Sequence, residues 1–286
     1  MQQFFKVNDG NEITGGHYVF LIVVAFTCVL GFSVFLSLVL SLNERIDATK
    51  NAVFAFALLP FSLGFLALCF FAPRIIKRKL VSFFSARNQF DWKRFFMALV
   101  SWSALMGVAF YFLSEKKHLV WNYDPLNFSV LLVLSLLLLP LQTGLEELLF
   151  RGVLVQLLGK FINKSIVVVL ISSIVFGCLH GLNPEVMEIG KSILIYYILS
   201  GIFMGLIVVL DDGLELSWGF HLANNLFSTL IISNNWQVLQ TDALFLDLSK
   251  PDFSIEIVLT LVLFYPMLLF LFHTVYRWGS WKKKLL

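Results

Sequence analysis

The chain is predicted to be an all-α, polytopic membrane helix bundle of about eight transmembrane helices. Two observations set the class and a third marks its centre. Hydrophobic residues fill 59% of the 286 positions, charged residues only 14%, and mean hydropathy is +0.86. A soluble domain is about 45–50% apolar and 25% charged, so this composition belongs to a chain dissolved in lipid. Apolar runs long enough to cross a core of roughly 30 Å recur eight times. Inside one of them stand Glu146, Glu147 and Arg151. Each such charge costs about 2.5–3.5 kcal/mol at mid-bilayer on insertion scales, so it needs a partner or a task.

In chain order the predicted spans are Tyr18–Leu42, Ala52–Ala72, Phe95–Leu113, Phe128–Leu158, Ile166–His180, Ser192–Leu210, Leu216–Ile232 and Ile255–Tyr276. The fifth is short and is expected to continue past His180. No signal peptide is expected, because the first run follows a polar stretch without a basic leader. Pro73–Arg94 holds seven Lys/Arg together with Phe83, Phe84, Phe90 and Trp92. Its place between two spans marks an amphipathic segment against anionic headgroups and argues against nucleic-acid binding. The chain thus divides into residues 1–127 (three spans and the basic segment 73–94), 128–232 (the core that carries the polar motifs) and 233–286 (a loop, the last span and a basic tail).

Eight spans put both termini and the loops after spans two, four and six on one side. Those segments carry 1, 7, 2, 0 and 4 Lys/Arg, against 2, 2, 1 and 1 in the opposite loops. The positive-inside rule therefore places both termini in the cytosol and the chain in the plasma (inner) membrane.

The polar residues inside the spans fall into a pattern. Glu147 and Arg151 are four apart with the acid first, the favourable order for a helical ion pair. Glu146 is rotated about 100° from Glu147 and is left without a local counter-ion. His180 closes the fifth span, and His221 and Asn225 share one face of the seventh. Gly201 and Gly205 form a GxxxG suited to close helix packing. Cys28, Cys69 and Cys178 lie within apolar runs, which argues against a disulfide framework and a CxxC metal site and predicts small buried hydrophobes. Taken singly, each histidine is readable as polar glue between helices. Two carboxylates, two histidines and an amide on three helices are harder to read that way.

Spans four and five form a hairpin, with Glu146 and His180 each 17 residues from Asn163. At about 1.5 Å per residue both stand some 25 Å from its tip, while His221 is only about 9 Å past the turn at Asp211–Glu215. The levels agree if the hairpin protrudes into the cytosol, which puts the site nearer that face. In a dry cavity a carboxylate becomes a usable general base. Glu146 with His180 would deprotonate a water, and His221 and Asn225 would donate to the resulting oxyanion. There is no GxSxG or HExxH. No cofactor is assigned, although a zinc ion held by Glu146, His180 and His221 stays open as an alternative.

The motifs Glu146-Glu147-x-x-x-Arg151, Phe176-x-x-x-His180 and His221-x-x-x-Asn225, in that order on successive spans, resemble those of the CAAX protease and bacteriocin-processing (Abi) family of intramembrane endopeptidases. The resemblance covers roughly residues 128–232. It implies a peptidase in which Glu146 and His180 activate water and His221 and Asn225 stabilise the oxyanion, with Glu147 and Arg151 in support. The implied partners are a peptide or protein substrate in the membrane and the lipid itself, with no nucleic acid. A non-catalytic scaffold of the same fold is the alternative. A proton-coupled transporter fits less well, since no second EExxxR-like segment repeats the first. Neither the substrate nor the oligomeric state is written in the sequence.

Overall fold

The structure, a computed structural model, describes residues 4–5, 13–41, 49–114, 118–253 and 255–286. Its long helices are α1 (Gly15–Ser41), α2 (Lys50–Ile75), α3 (Trp92–Leu113), α4 (Pro125–Gly159), α5 (Ser165–Leu179), α6 (Ile193–Asp211), α7 (Glu215–Leu230) and α8 (Ile255–Tyr276). Their starts follow from local chemistry. Thr49, Asp91 and Asp124 cap α2, α3 and α4 by accepting from the backbone N–H of Ala52, Lys93 and Asn127. Pro125 opens α4 where its missing N–H is not needed. Leu42, the last residue of the predicted first span, lies outside the described residues, as do Lys6, Arg45, Lys116 and Lys117 of the charge count.

Among the described residues, seven helices are long and apolar enough to cross a membrane. The predicted seventh span, α7, is not one of them, with only 16 residues. The reason lies in its surroundings. Glu215, Leu216, Ser217 and Gly219 through Ala223 are buried against protein, so this helix never had to be apolar enough for lipid.

The contacts at the helix ends nevertheless sort into two faces, and α7 joins them. On one face Asp212 accepts from the Phe4 N–H and from Lys284 Nζ. Lys160 Nζ donates to the Ile13 carbonyl at 2.9 Å, and Ser165 Oγ to the Lys284 carbonyl at 2.6 Å. On the other face Asn51 Nδ2 donates to the Asn127 carbonyl at 2.9 Å, and Lys50 pairs with Asp242 at 3.3 Å. There too lies a small sheet of β1 (Leu119–Trp121), β2 (Ile232–Asn234) and β3 (Phe245–Asp247), in the order β1-β3-β2. β3 runs antiparallel to β1 and parallel to β2. Each helix, α7 included, runs between the Asp212 face and this sheet face, which makes eight passes.

The basic segment departs from its expectation. Trp92 is exposed, as an interfacial anchor would be, but Phe83, Phe84 and Ser85 are buried in protein. The segment is tucked beneath the bundle by Leu214 N–H to the Phe84 carbonyl (2.7 Å) and Ala86 N–H to the Asp212 carbonyl (2.9 Å). Arg87 and Arg94 turn away from headgroups to ion pairs with Asp211 at 2.9 and 2.6 Å, and Arg87 also reaches Glu215 at 3.2 Å. The cysteines depart as well. All three are free thiols, but Cys178 is exposed and Cys28 and Cys69 are only partly buried.

Small residues set the closest helix approaches. Cβ atoms added at Gly201 and Gly205 would stand 3.1 Å from Ser173 Cβ and 2.9 Å from Val169 Cγ1, so the GxxxG packs α6 on α5 as predicted. At Gly219 in α7 a Cβ would run into the Phe95 carbonyl of α3. Gly219→Ala is therefore expected to lower thermal stability by about 1–3 kcal/mol despite alanine's better helix propensity. Gly107→Ala in α3, where a Cβ meets nothing within 4 Å, should be neutral or gain up to about 1 kcal/mol. Melting of the two variants in detergent checks the pair, and equal shifts would contradict the tight α3–α7 contact.

Candidate active site

Glu147 is fully buried in α4 and gathers three side chains. Arg151 NH1 donates to its Oε1 at 3.0 Å, the i,i+4 pair that the spacing predicts. Ser217 Oγ, from α7, donates to Oε2. His221 Nδ1, one turn on from Ser217, lies 2.9 Å from Oε1. The guanidinium is also covered by the Phe176 ring of α5, whose centroid is 4.0 Å from Arg151 Cζ. Immediately after the two glutamates, Leu148–Leu154 winds as a π-helical turn. Such turns gather at functional sites because they re-aim the residues around them. Sequence reasoning gave Glu147 only the ion pair; its bond to His221 was missed, because nothing in the spacing brings α7 to α4.

Glu146 is not left over, as the sequence suggested. Gln142 Nε2, one turn earlier, donates to Glu146 Oε1, and His221 Nε2 lies 3.7 Å from Oε2. Gln142 in turn accepts from Asn225 Nδ2 at 3.0 Å. Asn225 is thus tied to Glu146 through an amide that the sequence reading passed over. Gln142 was visible there as a lone amide in an apolar run, one turn before the motif. Asn224 was missed too; it accepts from Trp102 Nε1 at 3.4 Å and donates to Asn225 Oδ1 at 3.5 Å.

His180 ends α5. Its Nδ1 lies 2.8 Å from the Phe176 carbonyl, and its ring stacks on Tyr197 with centroids 4.4 Å apart at 23°. A carbonyl oxygen only accepts, so the Nδ1 of His180 carries the hydrogen and Nε2 is the free atom. The same logic applies to His221, whose Nδ1 faces a carboxylate. Both histidines therefore present Nε2 as their working atom. His221 can serve an oxyanion only through a second proton on that nitrogen, a condition the sequence could not reveal.

One cavity of about 650 Å³ brings the four predicted residues together: Glu146, His180, His221 and Asn225 all line it. Its apolar wall comes from α1 and α2, including Phe26, Val29, Leu58 and Phe61. Its other border includes Asn183, Glu185, Gln237 and Val238. Asn183 and Glu185 belong to the start of a short helix (Pro184–Ile189) and Gln237 and Val238 to the loop after β2, where Val238 N–H donates to Glu185 Oε1 at 3.0 Å. The cavity thus extends from the motif residues toward the sheet face, opposite the α4–α5 hairpin tip. Zinc finds no ready seat, since among the described residues no three His, Cys, Asp or Glu side chains converge in a metal-holding group.

The Glu147 cluster yields a separable prediction. Glu147→Ala leaves Arg151 buried without its carboxylate, a loss of about 3–5 kcal/mol. The double variant Glu147→Leu/Arg151→Met should recover most of that stability, since replacing both charges by apolar groups of like volume is often neutral. It should not restore the orientation of His221. Detergent melting curves for both variants check the first claim, and a wild-type melt for Glu147→Ala would contradict it.

Residues 125–227 match the family described as Type II CAAX prenyl endopeptidase Rce1-like. A curated protein of Bacillus subtilis (strain 168), the uncharacterized protein YyaK, is 25% identical over 248 residues, which cover 82% of this chain and 83% of YyaK. No solved structure matches the chain. The matched stretch contains every element of the cluster above, from Gln142 to Asn225. Through residues 125–227 the chain is similar to the Rce1-like family.

Proposed function

We propose that the chain is an intramembrane endopeptidase that hydrolyses a peptide bond of a membrane-associated protein or peptide. The observation that carries this reading is the convergence of Glu146, His180, His221 and Asn225 on one cavity, with His221 fixed by the buried Glu147. The similarity of residues 125–227 to the Rce1-like family supports peptidase activity, and both histidine tautomers suit it.

In this reading Glu146 is the general base. With His180 Nε2 it holds a water beside the scissile carbonyl and takes its proton as the oxygen attacks. That proton passes to His221 Nε2, 3.7 Å from Glu146 Oε2. His221, now bearing hydrogen on both nitrogens, donates to the oxyanion together with Asn225 Nδ2, which has a second N–H beyond the one given to Gln142. Collapse of the tetrahedral intermediate returns the proton to the leaving amine. Glu147 is a positioning residue: it holds Nδ1–H so that Nε2 points at the reaction. No step is routed through a metal, because Asn225 sits one turn from His221, and a donor pair there suits an oxyanion better than a zinc ligand set.

We also propose, from the Lys/Arg balance of the loops, that the Asp212 face, with both termini, is cytosolic.

Glu146→Gln should keep the fold, since an amide still meets Gln142, while turnover falls below about a hundredth of wild type, given the usual 10²–10⁴-fold contribution of such groups. Peptide-cleavage profiling of the two purified proteins in detergent decides it, and substantial residual turnover would remove Glu146 from the base role. Chelation supplies a second test. Activity is expected to survive dialysis against a strong chelator. Stoichiometric zinc lost together with activity and recovered on re-addition would overturn the metal-free mechanism.

A further inference from the structure

We propose that Glu185 anchors a specificity subsite, which takes the cationic side chain of a Lys or Arg in the substrate segment bound beside Glu146. This rests on the peptidase reading above and adds a side-chain preference to it.

The Glu185 carboxylate is only half satisfied by the protein. The residue borders the cavity yet is just 9% exposed. Its Oε1 accepts from the Val238 N–H at 3.0 Å, while its Oε2 is buried and no donor of the described residues reaches it. Buried polar groups in folded proteins rarely lack a partner, and an ionised oxygen is the least tolerant of that lack. Glu185 stands in the first turn of the short helix Pro184–Ile189, where the helix dipole favours an acid. The dipole explains the residue type, but it gives Oε2 no donor. A group that brings both N–H and positive charge supplies what is missing.

The free oxygen lies near the proposed chemistry. Tyr197 lines the same cavity, stacks on the His180 ring with centroids 4.4 Å apart, and stands close enough to Glu185 to feel its charge. One aromatic residue therefore connects Glu185 with the imidazole to which the mechanism assigns the water. A substrate cation held by Glu185 would sit close to the scissile bond without occupying its place.

The charge of the cavity favours the same ligand. Among the described residues no Lys or Arg lines it, while two carboxylates do, Glu146 and Glu185. Glu146 is already engaged by Gln142 Nε2 and has His221 Nε2 at 3.7 Å, which leaves Glu185 as the carboxylate with an oxygen to spare. Lys and Arg carry an apolar stem behind a charged head. That shape matches a cavity with Phe26, Val29, Leu58 and Phe61 along one wall and a free carboxylate at its other border.

The test uses the full chain in detergent. Binding is read by fluorescence anisotropy in the Glu146→Gln background, which prevents turnover, with a labelled Leu/Ala peptide that carries one central Lys and its central-Gln counterpart. The Lys peptide should bind roughly tenfold more tightly, the worth of one hydrogen bond to a charged group. Glu185→Gln keeps an acceptor for the Val238 N–H and should bring the two affinities together. Glu188→Gln removes the same charge from an exposed position of the same helix, away from the cavity lining, and should leave the ratio intact. Glu185→Lys should turn the preference toward a central-Glu peptide. Equal affinities before any change at Glu185, or a Lys preference that survives Glu185→Gln, overturns the proposal. Phosphatidylethanolamine added to the micelles should leave the ratio unchanged; its collapse would give the subsite to a lipid ammonium group and overturn the peptide assignment. With Glu146 intact, cleavage of a quenched-fluorescence peptide library should concentrate on segments with Lys or Arg near the scissile bond. Failure of the peptidase reading is distinct: no cleavage by the wild-type chain, beside a binding preference that still depends on Glu185, would remove the hydrolysis and leave the cation subsite standing.

Discussion

The Glu147 carboxylate is the interaction on which the site depends. Taking a charge of this kind out of water costs several kcal/mol unless it is paired and its lone pairs are satisfied. Here the satisfaction comes from Arg151 in the same helix and from Ser217 and His221 in α7. The guanidinium leans on Phe176 of α5. One buried carboxylate thus fixes the mutual rotation of the three helices that carry the reactive groups. A buried ion pair is weak evidence for stability in general. Its evident use here is registry, since only one rotation of α7 lets Ser217 and His221 meet the same acid.

That arrangement also divides two adjacent glutamates into different tasks. Glu147 is sealed among donors and spends its oxygens on structure, whereas Glu146 faces the cavity and meets an amide and an imidazole. In the proposed mechanism environment, not residue type, decides which is chemistry and which is support, as in other paired-carboxylate sites. Gln142 matters for the same reason. It links Glu146 to Asn225, so the proposed base and the proposed oxyanion donor move as one unit.

Much of this was legible in the sequence, and what was not has physical causes. The all-α class and the seven helices apolar enough to cross a membrane follow from hydropathy, and the Glu147–Arg151 pair and the Gly201/Gly205 packing follow from helical spacing. The meeting of Glu146, His180, His221 and Asn225 was also within reach, through the order of motifs. The partners of Glu146 were not, because His221 arrives from a helix whose depth the rise per residue could not place. The basic segment misled for a related reason. Composition reports that Phe83, Phe84, Arg87 and Arg94 are amphipathic, but not whether the apolar side meets lipid or protein. In this fold the apolar side meets protein, where the segment packs against the turn that opens α7.

The shortness and polarity of α7 bear on how the chain is made. A 16-residue helix with Ser217, His221, Asn224 and Asn225 is a poor candidate for partitioning into the bilayer unaided during synthesis. Its neighbours α3 and α4, however, leave the ribosome first and carry the surfaces that receive it: the Phe95 carbonyl against Gly219, and Glu147 against Ser217 and His221. Membrane integration of α7 is then a docking event onto earlier helices, with the α6 hairpin delivering it. The polar groups that would obstruct a lone helix become the contacts that retain it.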